Sequence, residues 1–282
     1  MGIDAVANSA VTLRRDMPIL LRPGGRIQFG TTPDSAVVVP LPEESSPGPI
    51  WSAILGATRG ECLRESLNNT SLPPALVNQL ITELTSARLT QPPATFLQLT
   101  IIGRDQVKHA LHDAVRHRTP SPHLKGIGRH TLSWLTDTSP DDVGLVVLTG
   151  MEVPHQQMIE ILWRRRLPHL CVHLRDGRAV LGPLTVPGYS PCPMCAESHR
   201  RSDDSARELL ALQLRNQTAN GSPLVISSLV NMIVLQLERI AHYGYADSPL
   251  LATEVTVDLV GLHHVAKPVL PHPNCPVCRR RK

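Results

Sequence analysis

The sequence predicts an α/β chain in two parts: a winged-helix-like unit of three strands and three helices, then a larger domain built on a parallel sheet. Three observations carry this prediction. Residues 17–41, "MPILLRPGGRIQFGTTPDSAVVVPL", are three short apolar runs separated by "PGG" and "TTPDS", and three helical patterns follow them. From residue 95 the pattern becomes strand, helix, strand, helix, strand, the order that builds a parallel sheet with crossover helices. Between the two lies "TQPPAT" at residues 90–95, whose adjacent prolines stop a helix and stiffen a linker. The domains are therefore 1–92 and 93–282. A length of 282 residues suits that count, at roughly 150 residues per domain.

The elements follow in order. Gly24 and Gly25 supply the positive φ that a tight hairpin needs, and Pro33-Asp34 is a turn pair. Helices are predicted over residues 50–57, 61–67 and 74–89. The last has Ala75, Leu76, Leu80, Ile81, Leu84, Ala87 and Leu89 near the helical repeat, with Ser71 as its N-terminal cap. In the second domain a strand at 95–103 turns at Gly103 into a helix over 105–117. A strand at 143–149 leads to a helix at 154–166, and a strand at 169–173 to a hairpin turning at Asp176-Gly177. A helix near 205–214, an apolar helix at 223–243 and a strand at 253–261 complete the list. Aromatic residues are only 3% of the chain, so the cores are built from Leu, Val, Ile and Ala, and 26 prolines keep the elements short.

Charge excludes some functions. The formal net charge is +4, and the surplus is partly local, in "WRRRL", "HRR" and "RRRK". Such short runs are solvated faces. The third helix of the front unit, "PPALVNQLITELTSAR", has no basic cluster to meet phosphates or bases, so nucleic acid is not expected as a partner. The stretch "PLVISSLVNMIVLQLERIAHY" is broken by Ser227, Ser228, Asn231 and Gln236. That suits a helix covering the sheet, or a dimer surface, better than a membrane span. The N-terminal residues lack the basic-then-apolar pattern of a secretory signal, and a cytoplasmic location is expected.

Six cysteines are present. Cys62, in a short predicted helix, and Cys171, in a strand, read as small core residues. The other four form two C-x2-C knuckles, Cys192/Cys195 and Cys275/Cys278. Two intervening residues let both thiolates turn toward one centre at about 2.3 Å, and two knuckles complete a tetrahedral zinc site. Such a site has no open position for water or substrate, so its zinc is structural. It would tie the C-terminal segment back onto a loop beside the sheet. His199 and His272 are nearby alternatives as ligands, but four thiolates suffice. Two separate redox pairs would need a helix start like that of thioredoxin, which neither knuckle shows in sequence.

Taken together, the parallel-sheet domain, "GPLTVPGYSPCPMC" with "ESHR", and "PHPNCPVC" resemble a known family. It is that of the ThiF-like, ubiquitin-activating-enzyme-like proteins of ribosomal peptide natural-product clusters, including thiopeptide-type azole pathways. The likeness covers nearly the whole chain. The front unit, with "LNNTSLPPALVNQLITELTSARLT", is similar to that family's winged-helix leader-recognition element. The resemblance implies a non-catalytic subunit. It would bind the leader of a precursor peptide and present the core to a YcaO cyclodehydratase, which converts Cys, Ser or Thr to azolines. It also implies the groove: an extended leader adds to the third strand, from Ser35, and the third helix closes the other side. Val37, Val39, Leu76, Leu80 and Leu84 are the pocket candidates, with Arg88 for an acidic leader residue. Val37 and Val39 share one face of a strand, so either both face the groove or both face the interior. ThiF-like proteins commonly pair, so a homodimer is also implied.

One departure bears on catalysis. An adenylating member needs a glycine-rich turn after its first strand, so that backbone amides approach phosphates at a helix N-terminus. The corresponding "LTIIGRDQVKHAL" has one glycine, Gly103, followed by Arg104 and Asp105. No acid clearly placed to hold a ribose closes a following strand, although Asp141 and Asp142 lie further on. The expectation is a degenerate domain without adenylation. The rival is an ATP-dependent ThiF-like adenylyltransferase acting on a peptide or carrier.

Overall fold

In the computed structural model, residues 11–279 are described apart from 35, 42–44, 92–96, 120, 216 and 219. The chain divides into two units, Met1–Thr95 and Phe96–Lys282. The first unit contains β1 (Thr12–Leu13), β2 (Ile19–Arg22), β3 (Arg26–Phe29), β4 (Val37–Pro40), α1 (Pro47–Thr58), α2 (Leu63–Asn68), α3 (Pro74–Ser86) and β5 (Thr90–Gln91). Gly24 and Gly25, at φ +76° and +62°, turn β2 into β3. β4 pairs antiparallel on the other side of β3, giving the sheet order β2-β3-β4.

Local chemistry sets the ends of α3. Pro73 is its N-cap residue and Pro74 its first position, where the missing N–H costs nothing. Ser71 is exposed and makes no cap. At the other end the helix stops at Ser86 rather than running to residue 89, because Arg88 takes φ +57°. Arg88 N–H then donates to Thr85 O and Leu89 N–H to Leu84 O, both at 2.9 Å, the pattern of a left-handed helix stop. Leu89 is buried by that turn, and Thr90–Gln91 pairs with β1, a strand pair too short to show in sequence. Cys62 is the N-cap residue of α2 rather than a member of it, and is half-buried. The unit's core gathers Ile27, Phe29 and Val39 from the sheet with Ile50, Ile54, Val77 and Leu84 from the helices.

In the second unit β6 (Leu99–Ile102) leads through α4 (Gln106–Val115) to β7 (His123–Lys125). The chain then returns by α5 (Arg129–Asp137) and α6 (Pro140–Val143) to β8 (Leu145–Thr149), on the opposite side of β6. α7 (Gln156–Arg164) carries it to β9 (His169–Arg175), and these four strands are parallel. A hairpin turning at Asp176 and Gly177 adds β10 (Arg178–Thr185). After α8 (Pro193–Asp203), α9 (Arg207–Leu214) and α10 (Pro223–Tyr243), β11 (Thr253–Asp258) and β12 (His263–Pro268) extend the same sheet. The order is β12-β11-β10-β9-β8-β6-β7. The sheet is therefore mixed, not parallel throughout. Strand–helix alternation holds only to β9; β10, β11 and β12 all pair antiparallel, the β9–β10 and β11–β12 pairs being joined by short turns.

The pleat sends Leu99, Ile101, Leu145, Val147, Leu170 and Val172 to one face and Ile102, Val146, Leu148 and Cys171 to the other. Helices cover both faces, which is why these strands read as unbroken apolar runs. α4 and α10 cover the first face; α5, α7 and α8 contribute to the second. By length and composition α10 is the one described helix able to cross a membrane. Its Ile226, Leu229, Val230, Ile233, Leu237 and Ile240 are instead part of the first core.

Phe29, 2% exposed, is the bulkiest side chain of the front core. Phe29→Ala is expected to lower the unfolding free energy by roughly 3–5 kcal/mol in urea titration of the full chain. A loss below about 1 kcal/mol would contradict a packed core there.

Candidate functional site

Among the described residues β4 pairs only with β3, so one edge of it is open. Leu41 N–H donates to Gly25 O at 2.8 Å. Backbone groups alternate sides along a strand, so Val39 and Val37 also turn toward β3. The N–H and C=O of Val38 and the C=O of Pro40 therefore point outward. Beside this edge a cavity of about 250 Å³ lies between Pro40 and Leu41 of the strand end and Leu72, Leu76, Leu80 and Glu83. Its α3 wall is one helix face, because Leu76, Gln79, Leu80 and Glu83 are spaced at i, i+3, i+4 and i+7. The Gln79 amide donates to Glu83 at 2.9 Å and holds that carboxylate on the rim.

Of the residues expected in this groove, Leu76 and Leu80 line the cavity. Val39, 6% exposed, and Leu84, 0%, face the core, and Val37 packs against the same cluster. Val37 and Val39 do share a face. It is the interior one, because Phe29 and Ile27 opposite them are buried. Arg88 is exposed, is committed to the helix stop and is not a lining residue. Ser35 lies outside the described residues. Pro40, Leu41, Leu72, Gln79 and Glu83 are the lining residues that the sequence reading misses, and the helical spacing from Leu76 is the signal that finds two of them.

In the second unit the order β7-β6-β8 places a topological switch point between β6 and β8. Open α/β sheets bind ligands in the crevice at the C-terminal ends of such strands. Here the chain fills that crevice itself. Asp105, 8% exposed, caps α4, and its Oδ1 accepts from Lys108 N–H at 3.1 Å and from the Thr149 hydroxyl at 2.7 Å. Gly103 serves packing: a Cβ there would lie 2.0 Å from Thr149 Oγ1. At Gly150, φ +66°, a Cβ would lie 2.6 Å from Asp105 Cγ. The helix N-terminus, whose partial positive charge attracts anions, thus already holds a carboxylate. Asp141 and Asp142 are exposed in the first turn of α6.

On the other face, Cys192, Cys195, Cys275 and Cys278 bring their sulfurs within 4.8 Å of one another. Cys192 Sγ is 3.5 Å from Cys275 Sγ, and Cys195 Sγ 3.2 Å from Cys278 Sγ. The first knuckle does open a helix: Cys192 is the N-cap residue of α8 and Pro193 its first position. This corrects the sequence expectation, yet each thiol approaches one of the other knuckle, which suits a shared cation better than two redox pairs. Tetrahedral bonds of about 2.3 Å would set sulfurs about 3.8 Å apart, close to what is present. His199 and His272 are occupied elsewhere, by Leu270 O and by Ser202 with Asn274 N–H. Cys171 is fully buried, and burial pushes its thiol up to about 12, so it stays protonated and unreactive.

Behind this knuckle lies an ion-pair network that nothing in the sequence announces. Glu197, 0% exposed, receives two bonds from Arg207 at 3.2 and 3.0 Å. Glu254 lies 3.0 Å from Arg175 and also pairs with Arg200. Burial raises the Glu254 carboxyl, but these guanidiniums outweigh it and hold it below its usual range. Burial beside Arg175 also drops His173 to about 3, so that ring is neutral. The network joins α8 to β9, β11 and α9, and its Arg200 and Glu254 also line a cavity of about 210 Å³ with His199, Lys267 and Leu270.

No protein-family model and no curated protein matches the chain. Solved structures do. The fold is that of the heterocyclase TruD and of E. coli MccB. TruD superposes with a TM-score of 0.61 at 15% identity, covering 96% of this chain and 43% of that one. A heterocyclase in complex with substrate and cofactor gives 0.63 at 12% identity, over 96% and 40% of the two chains. MccB with succinimide gives 0.55 at 12% identity, over 96% and 99%. The chain thus spans about two fifths of the heterocyclases and nearly all of MccB.

The Asp105 contact is directly measurable. Asp105→Ala removes a helix cap worth about 1 kcal/mol and leaves the buried Thr149 hydroxyl unpartnered, for a total loss of about 2–4 kcal/mol in urea unfolding. An unchanged midpoint would show that the crevice does not depend on this carboxylate.

Proposed function

We propose that the chain is a non-catalytic peptide-capturing subunit of ribosomal peptide natural-product biosynthesis. Its front unit acts as a winged-helix leader-recognition element, and it presents the bound precursor to a YcaO cyclodehydratase that forms azolines in the cytoplasm. The observation that carries this reading is the open edge of β4 beside an apolar cavity. An extended peptide gains main-chain hydrogen bonds from Val38 and Pro40, and one of its apolar side chains enters between Leu76 and Leu80. The fold shared with heterocyclases and with MccB, one structure of which holds N-formylated MccA, supports the same class of role. Matching only about two fifths of the heterocyclase chains supports a separate partner for the chemistry.

The second reading is ATP-dependent adenylyl transfer, favoured by the end-to-end likeness to MccB, one structure of which holds AMPCPP. Asp105 speaks against it. A nucleotide phosphate approaching α4 would meet a carboxylate already bonded to Lys108 N–H and Thr149. In this proposal the second unit is a degenerate ThiF-like scaffold whose four thiolates hold one structural zinc.

The test is fluorescence polarisation with labelled leader segments of ribosomal precursor peptides, alongside titration with ATP. Saturable leader binding without ATP binding is expected. Val38→Pro, which removes the outward N–H, is expected to weaken binding by about tenfold or more, and Leu76→Asp likewise. Tight ATP binding with no leader affinity would overturn the proposal in favour of the enzyme.

Metal analysis of the purified chain is expected to return about one zinc per chain. Cys275→Ser is expected to lose that metal and to lower the melting temperature, because binding free energy of such sites is folding free energy. A metal-free chain with unchanged melting would remove zinc from the account.

A further inference from the structure

The open edge of β4 offers few backbone bonds. Pro40 has no N–H, so the outward groups are the N–H and C=O of Val38 and the C=O of Pro40. Main-chain bonds do not read side chains, and the choice of peptide therefore falls to the cavity beside the edge. Pro40, Leu41, Leu72, Leu76 and Leu80 make its wall largely apolar, and Glu83 is the one ionisable lining group among the described residues. The Glu83 carboxylate accepts from the neutral Gln79 amide at 2.9 Å, and it has no ion pair among the described residues. Cations elsewhere in the unit are placed differently. Arg64 donates to Asn78 at 2.5 Å. Arg26 alternates with the buried Ile27, so it and Arg22 opposite it lie on the sheet face away from the core.

From this arrangement we propose that Glu83 selects the peptide: the groove takes an extended segment with an apolar anchor and a Lys or Arg two residues from it. Resting on the leader reading, this selection is opposite in sign to the one expected through Arg88, which is not a lining residue. At a rise of 1.5 Å per residue, Glu83 lies about 4.5 Å beyond Leu80 and about 10.5 Å beyond Leu76 along α3, or about 7.5 Å from the point midway between them. In an extended peptide the residue two positions on leaves the same face about 6.8 Å away. An anchor seated between Leu76 and Leu80, on a strand that follows α3, thus brings the side chain two positions along to Glu83. The apolar stem of Lys or Arg continues the contact with the wall while its charged head meets the carboxylate. Asp or Glu at that position would set like charges together, with no cation in the wall to relieve them.

Gln79 contributes by holding the carboxylate in place before the peptide arrives. Its bond spans one turn, from i to i+4, so less side-chain freedom is lost when the ion pair forms. Pairs at a solvated rim are weak, and the selection is correspondingly modest: Lys over Glu by about fivefold at low salt, shrinking as salt screens the pair.

The test uses the full chain and the labelled leader segment that binds it most tightly in the polarisation assay. Its anchor is located as the apolar residue whose change to Asp abolishes binding, and Lys, Gln or Glu is then placed two residues before or after that anchor. Wild type is expected to bind the Lys peptide about fivefold more tightly than the Glu peptide at one of the two positions, with the Gln peptide between them. Glu83→Gln is expected to bind all three alike, Glu83→Lys to invert the order, and Arg88→Gln to leave it unchanged. Affinity of Glu83→Gln for the Gln peptide, and its urea midpoint, are expected to match wild type, which separates lost selection from a lost fold. If no leader segment binds, the leader reading falls and the role of Glu83 with it. If segments bind but wild type does not prefer Lys at either position, or the preference survives Glu83→Gln or is lost in Arg88→Gln, the leader reading stands and the role of Glu83 is overturned.

Discussion

Backbone hydrogen bonding at sheet edges is the constraint on which the proposed recognition depends. Each edge strand carries N–H and C=O groups that must find water, a cover or another strand. In the front sheet β2 and β4 are the edges, and an apolar cavity lies beside the outward backbone groups of β4. In the proposed reading, the helix-walled cavity beside β4 receives side chains of an added peptide strand.

In the second unit, packing at the ends of β6 and β8 follows from two glycines. At the switch point of its sheet, where this architecture normally leaves a crevice, Gly103 and Gly150 make room for Thr149 and Asp105 rather than for a phosphate. The anion that a helix N-terminus attracts is supplied from within the chain. On the opposite face the four thiols sit inside the second core with Val269 and Val277, so a metal there would brace packing and have no free coordination position. Both features fit the proposed reading, in which this unit is a scaffold and peptide recognition falls to the front unit.

Legibility in the sequence followed the range of the interactions. The two C-x2-C knuckles, the Gly24-Gly25 turn and α10 are local patterns, and their ends could be read to within a few residues. β7, β12 and the β1–β5 pair were not read, because a strand such as "HHVAKP" has no alternation of its own and exists through its partner. Periodicity placed Val37 and Val39 on one face, but only the burial of Ile27 and Phe29 opposite them decides which face that is. The extent of α3 was overread for a similar reason: Leu89 continues the apolar spacing, yet it is brought into the core by the left-handed turn at Arg88 and not by another turn of helix. Asp105 was recognisable as an acid out of place in a phosphate-binding turn. That it bonds Thr149, on a strand distant in sequence, was not.

The central claim is that a peptide strand adds to β4 while the crevice at β6 and β8 stays closed. Hydrogen exchange on the full chain, with and without a ribosomal precursor's leader peptide and with and without ATP, reads both places at once. The account predicts that leader slows exchange at the Val38 amide and along α3, and that ATP leaves residues 103–108 and 149–150 unchanged. Protection of the crevice by ATP, with no change at Val38 on adding leader, would contradict it.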